Sequence, residues 1–146
     1  MRVYLDMCSL KRPFDDQSQP RIHLESEAVL ALLATVPEKV EFLRAAALDL
    51  ENDQNPLGQR AAKVRLCLEA LPLLDTPAAS IAGRTKELIA LGFKHFDALH
   101  VASAEALGAE ALCTCDDRFL AGARRHASLL RLRVVSPIDL AREVLS

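Results

Sequence analysis

Residues 93–119, FKHFDALHVASAEALGAEALCTCDDRF, constrain the fold more than any other stretch, because they read as helix, turn, buried strand and turn with an acid near each end. Asp97 opens an apolar run of Ala98, Leu99, Val101, Ala102 and Leu107, whose spacing predicts a helix lying along a sheet. Gly108 follows, and a residue that accepts positive φ is a common way to end a helix. Residues 111–114 form a short apolar run closing on Thr114, the pattern of a strand buried among parallel neighbours. Asp116 stands just past that strand's carboxyl end, which is where open parallel sheets place their ligands.

The rest of the chain repeats the alternation. Residues 2–5 (RVYL) read as a strand ending at Asp6, and Lys11-Arg12-Pro13 with Asp15-Asp16 form a loop bounded by Pro20. From about Arg21 a helix is expected, with Ile22, Leu24, Ala28, Val29, Ala31, Leu32 and Leu33 at near-helical spacing, and Pro37 marks its exit. Residues 39–43 (KVEFL) alternate as a second strand, and the helical ALDLENDQNP carries Glu51. Pro56-Leu57-Gly58 breaks the chain before helices over residues 59–71 and 78–91, the second ended by Gly92. A helix from Asp116 to about Ala127, a last strand over 130–135 (LRLRVV) and a closing helix over 138–144, opened by Pro137, complete the chain. Strands separated by helices, with few connections suited to hairpins, predict an α/β sandwich around a parallel sheet in a single domain, residues 1–146. The long helical insert between the second and third strands leaves the strand order open.

Composition removes several classes of function. The net charge of −2 offers no broad excess of Lys and Arg for coating nucleic acid, although an acidic nuclease site with local basic residues remains compatible with it. The cysteines Cys8, Cys67, Cys113 and Cys115 have the wrong spacing for a zinc knuckle, and no second Cys or His pair completes one. With no signal peptide and no apolar run of membrane length, a reduced, cytoplasmic protein without membrane contact is expected. Aromatic residues make up 4% of the chain, so base stacking is not the expected mode of recognition.

Four acids stand at matching places: Asp6 after the first strand, Glu51 on the helix after the second, Asp97 at a helix start and Asp116 after the third strand. Taken singly, each has a structural reading, since Asp is a preferred N-cap and acids at element ends are common. Neither Asp97 nor Asp116 has Glu or Gln three residues on, so the reciprocal capping box is absent. Taken together, carboxylates at one end of a sheet repel by about 4 kcal/mol per pair at about 4 Å and an effective dielectric near 20. Divalent cations offset such crowding, and hard Mg²⁺ or Mn²⁺ prefers oxygen ligands.

The order D…E…D…D resembles the PIN domains, metal-dependent ribonucleases that include VapC-like toxins. The resemblance is carried by VYLDMCSL around Asp6, ALDLEN around Glu51, FDALHVASAEALGA around Asp97 and ALCTCDDRFL around Asp116. It implies a three-layer α/β/α sandwich with a central parallel sheet of four or five strands. It also implies Asp6, Glu51, Asp97 and Asp116 as catalytic, Mg²⁺- or Mn²⁺-binding acids. The implied activity is hydrolysis of single-stranded or structured RNA to products with a 5′-phosphate, by the toxin half of a toxin–antitoxin pair. The chain departs from the family after its first acid: Met7 and Cys8 stand where many members carry Thr or Ser, and Ser9 comes a step later. That departure sustains the alternative of a non-catalytic PIN-like protein that binds RNA or a partner.

Among other candidates, Glu25, Glu27 and Asp49 compete with Glu51, and Asp117 neighbours Asp116 as an outer acid or a solvated helix start. Cys8 has no His partner that would make it a nucleophile and reads as a small apolar residue. His95 and His100, five apart, lie on different faces of a helix and do not suggest zinc. Lys11, Arg12, Arg21, Lys94 and Arg118 lie near the acids in sequence and are candidate phosphate ligands, whereas Arg124-Arg125 read as a solvated face. The apolar faces over residues 22–33 and 61–71 are expected mainly in the core. What remains of them is offered to a second copy in a homodimer or to an antitoxin peptide. A receiver-like signalling module would want paired acids after the first strand and a Lys after a late one, and Met7 and the LRLRVVSP segment supply neither.

Overall fold

The computed structural model describes residues 1–146. Strands β1 (Arg2–Leu5), β2 (Glu41–Leu43), β3 (Ala111–Cys113) and β4 (Arg133–Val135) form one parallel sheet in the order β2-β1-β3-β4. Around it run α1 (Met7–Lys11), α2 (Pro20–Leu33), α3 (Ala46–Asp53), α4 (Gly58–Glu69), α5 (Ala78–Ala90), α6 (His95–Ala106), α7 (Asp117–Arg125) and α8 (Pro137–Leu145). The step from β1 to β2 runs opposite to the steps from β2 to β3 and from β3 to β4. Parallel crossovers are right-handed, so reversing direction moves the helices to the other face of the sheet. The helices between β1 and β2 therefore cover one face, where α8 returns to pack on α2, and the later ones cover the other, where α5 packs on α6. The result is the expected three-layer α/β/α sandwich, with four strands.

The central strands are buried on both sides: Val3, Tyr4 and Leu5 of β1 and Ala111, Leu112 and Cys113 of β3 all lie in the core. Their register pairs Val3 with Ala111 and Leu5 with Cys113, so the residues that follow, Asp6 and Thr114, leave the sheet at the same level. Beyond shifts of a residue or two at helix ends, three boundaries differ from the sequence expectation. Residues 7–11, of which Lys11 is expected in a loop and the others carry no assignment, are helical: the Asp6 side chain caps the turn by accepting the Ser9 N–H at 2.9 Å, and Met7 and Leu10 bury one face. β2 begins at Glu41 rather than residue 39, and β4 at Arg133 rather than residue 130. A ladder can extend only as far as its partner, and β3 begins at Ala111, opposite Arg133.

The helices cohere by burial and a few buried polar ties. In α2, Val29 and Leu32 are buried while Leu24 and Leu30 face outward; in α4, Val64 and Leu68 are buried and Leu66 is exposed. Asn52 of α3 donates from Nδ2 to the Ala61 carbonyl of α4 at 2.9 Å, and Arg84 of α5 bonds the buried Glu105 of α6 at 2.7 Å. No helix is long and apolar enough to cross a membrane.

Gly108, two residues past α6, has φ +74°. A side chain there meets the left-handed steric cost of about 1–2 kcal/mol, and its Cβ would stand 2.8 Å from Nη1 of Arg2, a side-chain end that can move aside. Gly108→Ala is therefore expected to lower stability by about 1–2 kcal/mol. The check is the urea midpoint, which should fall with the m-value unchanged.

Candidate functional site

The strand order reverses between β1 and β3, and the crevice at such a reversal is where open α/β sheets take ligands. Asp6 and Asp116 stand on its two sides. Asp6 is 3% exposed, and its own N–H donates to the Cys113 carbonyl at 3.0 Å. Asp116 caps α7, its Oδ1 accepting the Arg118 N–H at 2.9 Å and the Phe119 N–H at 3.3 Å. Thr114 links the two acids: its buried hydroxyl lies against the Asp6 carboxylate and accepts the Asp116 N–H at 3.1 Å. The spacing of Thr114 and Asp116 thus has a geometric reason, since Thr114 emerges beside Asp6 and Asp116 begins the next helix.

Asp97 is the third residue of α6 and is half-buried. One turn on, His100 is 1% exposed and uses both ring nitrogens. Its Nε2 lies 2.7 Å from Oε1 of Glu51 and its Nδ1 lies 2.7 Å from the Tyr4 hydroxyl. A carboxylate can only accept, so Nε2 carries the hydrogen, and in the neutral ring Nδ1 then accepts from the Tyr4 O–H. Phe96 stacks on the His100 ring at 6.1 Å between centroids. Glu51 reaches this position because Leu48 and Asn52 bury the same side of α3. Tyr4, His100 and Glu51 thereby join β1, α6 and α3 in one buried chain of hydrogen bonds.

The charges press on one another. Asp97 is pushed up to about 6, by burial first and then by the negative charges of Asp6, Asp116 and Glu51, with His100 acting against them. Asp6 is also raised, chiefly by burial, although the Thr114 hydroxyl, the Ser9 N–H and His100 pull it down. Burial, and then the charge of Asp6, lifts the Cys8 thiol well above its ordinary value, and burial lifts Cys115 to about 11. Both therefore remain thiols rather than thiolates near neutral pH, and neither is an activated nucleophile.

The crowding falls short of a preformed cage: no three His, Cys, Asp or Glu side chains are grouped closely enough to hold a metal ion. The acids meet through their fields, with oxygens of Asp6 and Asp116 engaged in helix capping and one of Glu51 engaged by His100. The competing acids lie in other pairings. Glu25 lies between Arg12 at 3.6 Å and Arg21 at 3.4 Å. Asp49 bonds Arg44 at 2.8 Å, Glu27 lies 3.9 Å from His23, and Asp117 bonds Arg21 at 2.7 Å. Of the expected phosphate ligands, Arg12 and Arg21 are thus already paired, whereas Lys94 and Arg118 border a hollow beside Asp97. Ser9, the hydroxyl nearest the first acid in sequence, donates from Oγ to the Cys113 carbonyl at 3.0 Å and so serves the sheet end.

Sequence reasoning missed Tyr4 and His100. A signal was available: a Tyr between two apolar residues of a buried strand needs a partner for its hydroxyl, and His100 shares a helix face with Asp97 at i and i+3. Neither fact identifies the partner.

No family model and no curated protein sequence matches this chain. Among solved structures it is similar to a chain in the crystal structure of VapBC2 from Rickettsia felis bound to a DNA fragment from their promoter, with a TM-score of 0.55. The two are 15% identical, and the match covers 93% of this chain and 98% of that one. Such a likeness is one of fold: the two chains share an α/β/α sandwich around a parallel sheet.

Proposed function

We propose that residues 1–146 form one PIN-like domain that hydrolyses RNA phosphodiester bonds with the help of Mg²⁺ or Mn²⁺. The observation that carries this reading is the placing of Asp97 at the switch point of the sheet, where burial first, and then the charges of Asp6, Asp116 and Glu51, raise it to about 6. Carboxylates brought to one end of a sheet fit a hard divalent cation by donor chemistry, and Asp6, Glu51, Asp97 and Asp116 are the residues that would hold it. When bound, the ion would neutralise charge on the scissile phosphate and lower the pKa of a coordinated water. The chain's own contribution is placement. The Ser9 N–H and Thr114 fix Asp6, the α7 cap fixes Asp116, and His100 holds Glu51 against α6.

By the same reading the chain is the toxin of a toxin–antitoxin pair, with an antitoxin protein and a second copy of itself as partners. The support is the fold it shares with a chain of a VapBC2 complex. The deciding experiment incubates a mixed RNA pool with Mg²⁺ or Mn²⁺ and either wild type or Asp97→Asn. Wild type is expected to cleave, and the variant to lose at least about a hundredfold in rate, the scale of a lost charge-stabilising contact. RNA binding without cleavage by either protein would favour the non-catalytic reading, which the turned-away Ser9 hydroxyl makes worth testing.

A further inference from the structure

Nine of the thirteen arginines stand in ion pairs, namely Arg2, Arg12, Arg21, Arg44, Arg60, Arg65, Arg84, Arg133 and Arg142. Of the remaining four, Arg118, Arg124 and Arg125 belong to α7. Arg118 and Arg125, with Lys94 from the start of α6 and His126, rim a hollow of 280 Å³ that Asp97 also lines. Its floor includes Phe93 and Phe119, packed edge to face at 6.0 Å, and Gly122 lies against Phe93, so a larger side chain there would crowd the floor. Lys94, Arg118 and Arg125 are exposed, and none of the three has an acid within ion-pair distance. A chain that pairs most of its arginines elsewhere leaves these three cations free around one hollow, beside Asp97.

We infer that this hollow is a phosphate subsite, which takes an internal phosphodiester of single-stranded RNA next to the bond held at the acids. The identity of the ligand as RNA rests on the nuclease reading above; the phosphate chemistry rests on the hollow itself. Guanidinium groups suit phosphate oxygens through paired N–H donors, and Lys adds a point charge. The volume lies just below the usual range of about 300–1,000 Å³ for drug-sized ligands, which matches a phosphate with its sugar better than a stacked base. Asp97 at the border sets the place of this phosphate: it is a neighbour of the scissile one, because the scissile one must lie at the acids. Arg125, read from sequence as part of a solvated face, is thereby a substrate-positioning residue.

The test measures binding of a mixed-sequence 12-nucleotide RNA without a terminal phosphate, by fluorescence anisotropy in EDTA, between 50 and 200 mM salt. Wild type, Arg118→Gln/Arg125→Gln, Arg118→Lys/Arg125→Lys and the distant control Arg65→Gln/Arg142→Gln are compared as full chains. The Gln pair is expected to bind at least about tenfold more weakly at 50 mM salt. Its slope of log K against log salt should shrink by about 1.4, two charges at about 0.7 each for a single strand. The Lys pair should keep most of the slope, which separates lost charge from misfolding. An unchanged slope in the Gln pair, an equal loss in the control or no RNA binding by wild type would each overturn the subsite. So would a loss seen only with a 5′-phosphorylated oligomer, which would assign the hollow to a terminal phosphate. No cleavage is needed in this assay, so the subsite and the nuclease reading can fail separately.

Discussion

A His100→Ala variant is expected to lose about 3–4 kcal/mol of stability, a large share of the roughly 5–15 kcal/mol that holds a domain together. Two contributions add. Removing a ring that is 1% exposed leaves a cavity under Phe96, and large-to-small changes in cores cost about 2–5 kcal/mol. The Tyr4 hydroxyl, fully buried and bonded only to Nδ1 of that ring at 2.7 Å, is left without a partner, which costs about 1–3 kcal/mol more before relaxation offsets part of the sum. Tyr4→Phe removes the other end and should cost about 1–2 kcal/mol, since it leaves only the ring nitrogen unsatisfied. The two losses should not add, because the second change removes the group that the first one stranded. Urea denaturation of wild type, both single variants and the double variant measures this. A loss below about 1 kcal/mol for His100→Ala would show that the ring neither fills space the core needs nor fixes either neighbour.

The second large effect has the opposite sign. Asp97→Asn is expected to be more stable than wild type in metal-free buffer at pH 7.5, by about 1–2 kcal/mol. A carboxyl raised from 3.8 to about 6 forfeits at most about 3 kcal/mol at 1.36 kcal/mol per pH unit, and the half-exposed position of Asp97 discounts that ceiling through solvent screening. The sign follows from proton counting. Between the unfolded value near 4 and the folded value near 6 the native state binds more protons than the unfolded chain, so wild type loses stability as pH rises through that window. The amide has no such loss. The gap between the two proteins should therefore be small below pH 4, open between pH 4 and pH 6, and stay constant above. Asp6, also raised chiefly by burial, makes both proteins lose stability in the same direction and leaves the gap to Asp97.

Millimolar Mg²⁺ should close the gap from the other side. A ligand at a hundredfold excess over its Kd stabilises by about 2.7 kcal/mol, and that gain should appear in wild type and shrink in Asp97→Asn. Thermal melts at pH 4, 6 and 7.5, with and without Mg²⁺, give the whole pattern. A variant less stable than wild type at every pH would mean that Asp97 is held by favourable contacts, and the field that supports the proposed function would be absent. The trade is a familiar one for functional sites, where groups crowded for the sake of a ligand destabilise the empty protein.

These two positions also show where reading the chain as text stops. The helix and strand run over residues 93–119 follows from side-chain periodicity and from Gly108, which are local quantities, and the structure has α6, the positive-φ glycine and β3 in that order. The short helix α1 was not legible because its burial is a tertiary fact: Met7 and Leu10 are apolar residues among polar ones until the core receives them. β4 was read as too long for a related reason, since the alternation of LRLRVV continues past the point where β3 offers a partner.

The sequence by itself determined the order of the elements and the segments that carry acids, because propensity, turn chemistry and hydrophobic period are set by neighbouring residues. It could not determine which side chains meet. Tyr4 and His100 are 96 residues apart and His100 and Glu51 are 49 apart; the strand order β2-β1-β3-β4 brings the ends of β1 and β3 together. Only that packing turns separate acids into a mutual field, leaves Lys94, Arg118 and Arg125 unpaired around one hollow, and turns a helical His into the tie that holds Glu51. Contacts between distant segments depend on register and on the displacement of water from the whole core, and no window of the sequence contains either.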